Sequence, residues 1–308
     1  MTTEKTFKTL SALTEKEMLK ALPKMLRKVG YNPIVTKEYI YAEGSIPIAL
    51  CAHMDIVGTE PPRNLYHDVE KNVIWAGGHI LGADDRAGIT AIWEIIKYKE
   101  YKPHLIFTTN EETGAAGAHA LALLDMPFKD LKFIIELDRA NSNDCVFYEC
   151  DNPDFESYIN TFGYETDWGT FTDISIICPS WKVAGVNLSV GYYHEHTKYE
   201  LLKINELNET IRRVMKILDD KNSQHYEYLP SMNSFNMYKF ECSFCGKEKG
   251  YPELYDVMLP SGLSAIACSD CLRKYKRIRK CKVCNDYFYA NGNETECYDC
   301  STGVKYEF

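Results

Sequence analysis

Histidine and carboxylate side chains follow the apolar, strand-like runs of this sequence. In chain order they are His53 and Asp55, Asp84 and Asp85, Glu111 and Glu112, Asp138, and His194 and His196. In open α/β sheets, ligands bind in the crevice at the carboxyl ends of the strands, where such side chains would meet. Imidazole and carboxylate groups both bind zinc, and a carboxylate without a metal can act as a general base on water. The pattern therefore predicts a site for a pair of divalent ions.

The first of these pairs has a spacing that favours cooperation between its two side chains. His53 and Asp55 are two residues apart at the end of an apolar run. On a strand, side chains at i and i+2 point to the same face. Asp55 can therefore orient the His53 ring through a hydrogen bond.

The other groups each have a plain structural alternative. Asp84 and Asp85 could cap a helix, because helix starts favour aspartate. Glu111 and Glu112 could lie on a solvated loop, and Asp138 could form a surface ion pair. The metal-site interpretation is favoured over these alternatives because such groups recur after one apolar run after another.

The elements that must position these groups alternate between strands and helices. Continuous or β-rich apolar runs predict strands, and apolar residues at helical spacing predict amphipathic helices. The predicted strands cover 34–35, 39–41, 46–51, 73–75, 105–109, 133–137 and 183–190, and the predicted helices cover 14–28, 86–98, 115–124 and 204–218. Strands separated by helices predict a three-layer α/β/α sandwich on a mixed, largely parallel sheet.

The overall composition excludes several classes of protein. The chain has 308 residues, of which 45% are hydrophobic and 26% are charged, as in an ordinary globular protein. Its formal net charge of −9 argues against a whole-chain nucleic-acid binder. No apolar run of about 18 residues exists to span a membrane. The N-terminal residues also lack the apolar stretch of a secretory signal, so we expect a cytoplasmic protein without membrane contact.

A series of five motifs resembles the dizinc exopeptidase superfamily, which contains aminopeptidases, tripeptidases and glutamate carboxypeptidases. The order of the motifs matches that family over about residues 30–221, although each motif alone is weak. They are His53-x-Asp55-x-Val57, Gly82-Ala-Asp84-Asp85-Arg86-Ala-Gly88, Glu111-Glu112-x-Gly114, Asp138 and His196-Thr-Lys-Tyr-Glu200.

The resemblance implies a role for each group of the dizinc site. His53 and Asp138 would bind one zinc ion, and Glu112 and His196 would bind the other. Asp84 would bridge both ions, because the first aspartate of the pair bridges in this family. Glu111 would be the general base that takes a proton from the water bridging the two zinc ions, which leaves the attacking hydroxide, and passes that proton to the leaving amine.

The resemblance also separates neighbouring candidates. His196 is preferred over His194 as a ligand, because only His196 is followed by the family pattern Ser/Thr-x-x-Glu. His194 would then be structural or face the substrate. Asp173 resembles a substrate-side position of the family, and a turn or cap role is the alternative for it.

The implied activity is metal-dependent hydrolysis of amide or peptide bonds, most simply by an aminopeptidase-type exopeptidase. Its substrate would be a peptide or an N-acyl small molecule. Only 57 residues separate Asp138 from His196, which is too few for an inserted lid domain in addition to core elements. The alternatives are a non-peptide amidase or deacylase on the same scaffold, and a zinc-finger adaptor with a vestigial peptidase domain.

Eight of the twelve cysteines form four CxxC pairs near the C-terminus. In a reducing compartment such pairs indicate metal rather than disulfides. The first set, Cys242, Cys245, Cys268 and Cys271, and the second set, Cys281, Cys284, Cys297 and Cys300, would each hold one structural zinc ion. The region resembles treble-clef and zinc-ribbon modules. Pairing of the cysteines within each set is favoured, and a cross-brace between the sets is the alternative. A redox dithiol role is disfavoured.

These patterns predict a catalytic domain at 1–221, a linker at 222–236 and two zinc-finger modules at 237–280 and 281–308. Between the fingers, seven of the ten residues from 273 to 282 are basic. Residues 236–308 nevertheless carry 11 basic and 10 acidic side chains, and zinc-bound thiolates add negative charge. Nucleic-acid binding is therefore disfavoured for this stretch; we expect it to form a solvated helix face or to dock against the acidic catalytic domain, where residues 1–235 carry 24 basic and 34 acidic side chains. The oligomeric state stays open.

Overall fold

The computed structural model describes most of the chain. The described residues are 2–58, 60–62, 64–98, 100–231, 239–250, 254–261, 263–284 and 286–302. They divide into two compact units, Met1–Pro230 and Ser231–Phe308. We call the first the α/β unit and the second the cysteine-rich unit.

The boundary between the units falls later than the predicted end of the catalytic domain. Residues 232–236 of the predicted linker lie outside the described residues. The preceding residues pack on the α/β unit: Tyr226 is 5% exposed, and its backbone exchanges hydrogen bonds with Lys132 and Ala184. Glu227 forms a β-bridge with Val183. The first half of that polar segment therefore belongs to the α/β unit.

Seven helices are found among the described residues of the α/β unit. Thr14 and Glu17 form a capping box at the start of the second helix, as helix N-termini favour. The helices are α1 (Thr3–Ser11), α2 (Glu15–Lys28), α3 (Ala83–Ile96), α4 (Ala116–Ala122), α5 (Pro153–Asn160), α6 (Asp173–Trp181) and α7 (Ile204–Asp219).

The strands of the α/β unit form two sheets. They are β1 (Ile34–Val35), β2 (Tyr39–Ala42), β3 (Ile46–His53), β4 (Leu65–Asp68), β5 (Val73–Ala76), β6 (Pro103–Thr108), β7 (Phe133–Arg139), β8 (Asp144–Val146), β9 (Glu165–Thr166), β10 (Gly185–Ser189), β11 (Tyr192–Tyr193) and β12 (Leu201–Lys203). The larger sheet has the order β1-β2-β6-β3-β7-β10-β8-β9, and the smaller has the order β11-β12-β5-β4.

The centre of the larger sheet is parallel and fully covered. Strands β6, β3, β7 and β10 pair in parallel, whereas β1, β2 and β8 add antiparallel edges. Helices α1, α3 and α7 pack together on one face, and α4 packs with α6 on the other. All six residues of β6 are buried, as a strand covered on both faces requires. The predicted three-layer α/β/α sandwich is confirmed.

The cysteine-rich unit has short elements and two small clusters of buried residues. Its elements are β13 (Lys239–Glu241), β14 (Glu248–Gly250), β15 (Leu254–Met258), β16 (Ser264–Cys268), α8 (Ser269–Lys274), β17 (Ile278–Lys280), β18 (Tyr287–Tyr289) and α9 (Tyr298–Thr302). Strands β13 and β14 form a hairpin, and the others form a sheet of order β16-β15-β18-β17. Cysteines belong to both buried clusters. Across the described parts of the whole chain, no helix is long and apolar enough to cross a membrane.

Candidate functional site

The strand ends of the larger sheet carry most of the predicted site residues. His53 is the last residue of β3, and Asp138 is the penultimate residue of β7. Glu111 lies on the turn that follows β6, Asp84 lies at the start of α3, and His196 lies on the loop between β11 and β12. Because β3, β6 and β7 run parallel, their carboxyl ends meet at one edge of the sheet, where α3 also begins.

The close approach of α3 to the sheet depends on glycine. A Cβ atom at Gly88 would lie 1.9 Å from the carbonyl oxygen of Leu137 on β7. At the start of the helix, Gly82 has a φ angle of +67°, in the left-handed region that glycine adopts without strain. The two glycines of the Gly82–Gly88 motif therefore let Asp84 reach the strand ends.

One group of contacts joins His53, Asp84 and Asp138. The Nε2 atom of His53 lies 2.9 Å from Oδ1 of Asp84 and 3.6 Å from Oδ1 of Asp138. The His53 side chain is fully buried. Donor atoms of all three residues lie within 4.8 Å of one another, which is close enough for one ion to contact all three.

A second group of contacts joins His196, Asp84 and Glu112. The Nε2 atom of His196 lies 3.0 Å from Oδ2 of Asp84 and 3.1 Å from each carboxylate oxygen of Glu112. Asp84 thus directs one carboxylate oxygen to each histidine. The His196 side chain is 49% exposed, so the cluster is open to solvent on this side.

Asp55 and Asp85 hold the backbone around these contacts. Asp55 lies 3.3 Å from Nδ1 of His53 and accepts the backbone N–H groups of Glu111 and Glu112 at 3.0 and 3.1 Å. Asp85 accepts the N–H group of His53 at 3.2 Å. Asp55 therefore holds the loop after β6 and lies beside the His53 ring, whereas Asp85 supports the backbone instead of facing the histidines.

The Glu111 carboxylate lies beside this cluster. Its oxygen, a nitrogen of His53 and an oxygen of Glu112 lie within 4.8 Å of one another. Burial and the nearby charges of Asp173 and Asp84 raise the pKa of Glu111 to about 7, although His53 opposes that rise. A carboxyl group poised in this range can both accept and release a proton.

The electrostatics of the cluster favour a bound cation. Burial and the charge of Asp84 raise the pKa of Asp138 well above its usual range. The hydrogen bonds that the His196 ring donates to Asp84 and Glu112 raise the pKa of His196 to about 11. Several carboxylates converge here with few positive charges, and a divalent ion would relieve their repulsion. The mixed nitrogen and oxygen donor set fits zinc.

Two further residues support the site, and the sequence interpretation assigned no role to either. The Glu200 carboxylate accepts the backbone N–H groups of residues 82 to 84. Buried Arg86 donates to the carbonyl oxygen of Met54, between His53 and Asp55, and to that of Leu13 at 3.0 Å. Glu200 and Arg86 both lie within the motifs that resemble the exopeptidases. The sequence therefore marked their positions, although it did not reveal which groups they contact.

The two tentative substrate-side residues differ in their surroundings. Asp173 is the first residue of α6, is fully buried and accepts a hydrogen bond from the Thr108 hydroxyl. With Cys51 and Glu136 it forms a buried group beneath the strand ends. His194 is exposed on the loop that carries His196, and its carbonyl oxygen accepts from Thr197. Only His194 is therefore accessible to a bound molecule.

The cysteines of the second unit form two clusters in sequential order. Cys242, Cys245, Cys268 and Cys271 form one, and Cys281, Cys284, Cys297 and Cys300 form the other, without a cross-brace. Sulfur–sulfur distances are 3.7 Å for Cys242–Cys271, 3.9 Å for Cys245–Cys268 and 3.7 Å for Cys284–Cys297. Four sulfurs held tetrahedrally about 2.3 Å from one zinc ion lie about 3.8 Å apart. Both clusters could therefore bind a structural metal ion.

Backbone N–H groups favour the thiolate form of one cysteine in each cluster, whereas the pKa of Cys271, Cys284 and Cys300 is raised, mainly by burial and by hydrogen bonds with the neighbouring sulfurs. Although burial opposes it, hydrogen bonds from the backbone of Cys268, Phe244 and Cys245 lower the pKa of Cys242 to about 6. Equivalent bonds from Cys284, Cys297 and Val283 overcome burial and lower the pKa of Cys281 to about 6. The thiolate is the form that binds zinc.

Residues 40–167 match the family model described as Peptidase family M28. The matched segment ends before His196. It contains the other groups of the cluster, namely His53, Asp84, Glu111, Glu112 and Asp138. Peptidases of this family are metal-dependent and typically use zinc. The match therefore supports the predicted metal-dependent peptidase.

Solved structures of peptidases share the fold. The aminopeptidase PepT from Bacillus cereus is 15% identical, with a TM-score of 0.57, over 70% of this chain and 97% of that chain. A tripeptidase from Staphylococcus aureus gives the same identity and TM-score, over 70% and 96%. The TET1 peptidase from Pyrococcus horikoshii is 14% identical, with a TM-score of 0.52, over 70% and 99%. Together with the family match, this shared fold confirms the resemblance to the dizinc exopeptidases.

Proposed function

We propose that the α/β unit is an aminopeptidase-type exopeptidase with a co-catalytic pair of divalent ions. The observation that carries this proposal is the position of Asp84. One of its oxygens lies 2.9 Å from the His53 imidazole and the other lies 3.0 Å from the His196 imidazole. A carboxylate between two separate ligand groups is what a bridged metal pair requires.

Each ion would have its own histidine and its own carboxylate. His53 and Asp138 would hold one ion, His196 and Glu112 would hold the other, and Asp84 would contact both. When bound, the ions supply Lewis-acid activation of the scissile carbonyl and lower the pKa of the attacking water. The donor atoms, all imidazole nitrogen or carboxylate oxygen, favour zinc as the native metal.

The protein itself would supply proton transfer and alignment. Glu111 binds neither ion in this proposal, and its carboxylate faces the cluster. It would accept a proton from the attacking water and return it to the amine that leaves. Asp55 would keep this loop in place, because it accepts the N–H groups of Glu111 and Glu112 while it contacts His53.

Three features favour a peptide with a free end as the substrate. Two of the solved structures that share this fold are named an aminopeptidase and a tripeptidase. The segment between Asp138 and His196 is short, and the described part of the unit is built from core elements there. The half-exposed His196 leaves the cluster accessible from solvent. His194, exposed on the same loop, would contact the bound peptide.

The cysteine-rich unit would hold two structural zinc ions, one in each sequential cluster. With the metal pair of the α/β unit this makes four ions per chain. The twelve cysteines are all free, and eight are grouped for metal rather than for disulfides. This favours a reducing compartment, and we place the protein in the cytoplasm.

The decisive experiment replaces the proposed general base. Glu111→Gln keeps the size of the side chain but removes its ability to accept a proton. We expect kcat on aminoacyl and dipeptide substrates to fall by about 10²–10⁴-fold. Metal content, measured by elemental analysis of the full chain, should stay at four ions.

Glu70→Gln serves as the control, because Glu70 is exposed on the turn between β4 and β5. It should match the unsubstituted protein in rate and metal content. Hydrolysis retained by Glu111→Gln would contradict the mechanism. A panel that includes N-acyl amino acids separates the peptidase from a deacylase, and cleavage of N-acyl substrates alone would contradict the peptide assignment.

A further inference from the structure

Glu200 lies on the loop that carries His196, yet its side chain reaches the start of α3. The residue is fully buried. Its Oε2 atom accepts the N–H group of Gly82 at 2.8 Å. Its Oε1 atom accepts the N–H groups of Ala83 at 2.8 Å and Asp84 at 3.1 Å. One carboxylate thus binds three consecutive backbone donors that lead into Asp84.

These three donors have no partner within the helix. The first N–H groups of a helix lack acceptors in the preceding turn, and a buried N–H group without an acceptor is strongly unfavourable. The backbone of Asp84 (φ −79°, ψ 103°) and of Asp85 (φ −117°, ψ 44°) is moreover not helical. The conformation that turns Asp84 toward both histidines therefore depends on an acceptor from outside the helix.

The same residue is tied to His196 through a tight turn. The N–H group of Glu200 donates to the carbonyl oxygen of Thr197 at 3.1 Å. The Thr197 hydroxyl accepts the N–H group of Tyr199 and donates to the carbonyl oxygen of His194. His196 has a φ angle of +60°, a conformation that a non-glycine residue keeps only when its surroundings enforce it.

We propose that Glu200 is a positioning residue that sets the distance between Asp84 and His196 and thereby the affinity of the site for its metal pair. The inference rests on the proposed function, because it assumes that these two side chains bind metal. Glu200 itself contacts neither histidine ring among the described contacts, so it acts through the backbone. It completes a set in which Asp55, Asp85 and Glu200 each hold the backbone of one ligand segment.

The test compares zinc binding in Glu200→Gln with that of the unsubstituted full chain. A glutamine keeps the shape but places an NH₂ group against a backbone donor. We expect the affinity of the α/β unit for Zn²⁺ to fall about tenfold or more, measured by competition with a chromogenic chelator too weak to strip the cysteine clusters. Glu200→Asp is the second variant, for use if Glu200→Gln does not fold. It keeps the charge on a shorter side chain and should bind Zn²⁺ more weakly than the unsubstituted chain but less weakly than expected for Glu200→Gln.

A purely structural role predicts a different pattern. Tryptophan emission reports unfolding of the α/β unit, because Trp75, Trp93, Trp168 and Trp181 all lie there. Zinc should raise the urea midpoint of this unfolding transition in the unsubstituted chain. A positioning role predicts that the rise is smaller in Glu200→Gln. If zinc affinity and that rise both stay at the unsubstituted values while the metal-free and metal-loaded midpoints fall equally, the inference is wrong.

Two controls separate this inference from the proposed function. Glu195→Gln removes the same charge from the same loop and should leave zinc affinity unchanged; a tenfold loss there would assign the effect to charge and overturn the positioning role. Asp84→Ala should abolish paired binding in the α/β unit. If Asp84→Ala binds zinc as the unsubstituted chain does, the proposed metal pair is wrong, whatever Glu200→Gln shows.

Discussion

The two units of this protein place their candidate metal-binding residues in opposite ways. In the α/β unit, the histidines and carboxylates lie at the end of a sheet whose strands are already buried on both faces. In the cysteine-rich unit, the cysteines themselves are members of the small buried clusters. The first unit has a core that can support a metal site, whereas the second has little core apart from the residues that would bind metal.

This difference follows from size and composition. A long chain buries a large fraction of its apolar surface, but a unit of fewer than about 80 residues rarely builds a sufficient core without a disulfide or a metal ion. The α/β unit fills its interior with aromatic contacts such as Phe133 against Phe155 at 5.2 Å. We therefore expect metal to decide folding in one unit and chemistry in the other.

Removal of metal should produce the largest difference between the units. A strong chelator should unfold the cysteine-rich unit, because apparent binding free energies of structural zinc are about 10–16 kcal/mol per site. The α/β unit should keep a cooperative urea transition in tryptophan emission. A thiol reagent should then react with eight cysteines of the metal-free chain in the absence of denaturant.

The four remaining cysteines provide the internal control. Cys51, Cys145, Cys150 and Cys178 are buried in the α/β unit, and they should react only after denaturant is added. Reaction of all twelve thiols in one step, together with loss of the tryptophan transition, would show that both units depend on metal and would contradict the comparison.

Truncation of a core side chain should have the next largest effect. Phe133 is fully buried on β7 and contacts Phe155, Tyr158 and Tyr226. Phe133→Ala should lower the free energy of unfolding of the α/β unit by about 3–5 kcal/mol, because it removes apolar contacts and leaves a cavity. Urea unfolding followed by tryptophan emission measures this loss.

Phe288→Ala is the matched substitution in the cysteine-rich unit, where Phe288 is 3% exposed. It should leave the tryptophan transition where it is, since that unit has no tryptophan. If Phe288→Ala lowered the urea midpoint of the tryptophan transition as much as Phe133→Ala does, the stabilities of the two units would not be independent.

The smallest effect is a pH dependence that belongs to the α/β unit. His104 stacks on Phe128 at 4.5 Å, and its Nδ1 atom accepts the N–H group of Gly44, so the neutral ring is the form that fits. Burial lowers the pKa of His104 below its ordinary value of 6.5. The folded protein favours the neutral His104 ring. The stabilisation from this ring is therefore fully present above pH 6.5 and is lost as the pH falls through the lowered pKa of the folded state.

The measurement compares the unfolding free energy of the unsubstituted chain and of His104→Gln between pH 7.5 and pH 5. The loss on acidification should be smaller in the variant, and other titrating groups cancel in the difference. Equal slopes would show that the His104 ring is not the group that titrates.

The sequence predicted the parts of the fold that rest on local pattern. Continuous apolar runs identified β3, β6 and β7, and helical spacing identified α2 and α7 within one or two residues. It did not predict α1, α5 or α6, which have only eight or nine residues each. In α6 the buried residues Ile174, Ile177, Cys178 and Trp181 do recur at helical spacing, but Pro179 interrupts the pattern. The first part of the predicted linker was also misleading, because polar residues around Tyr226 conceal an aromatic contact with Phe133.

The residues of the candidate site likewise divide into those that a local pattern could predict and those that it could not. Groups that follow a strand, such as His53 and Asp138, could be placed because strand ends converge. The role of Glu200 could not, because its partners Gly82 and Ala83 lie more than a hundred residues earlier in the chain. Such contacts exist only after the sheet and α3 have assembled, and no local pattern encodes them.

The contacts of Arg86 and Glu15 connect the candidate site to residues that precede the segment matched by the family model. Its guanidinium group donates to Leu13, and Glu15 accepts the N–H group of Asn110, the residue before Glu111. Both partners lie before residue 40, where the family match begins. The segment that joins α1 to α2 and the first residue of α2 therefore support the loops that carry the candidate site. A change at the N-terminus of the chain that displaces Leu13 or Glu15 would therefore remove support from the candidate site without altering any of its predicted metal ligands.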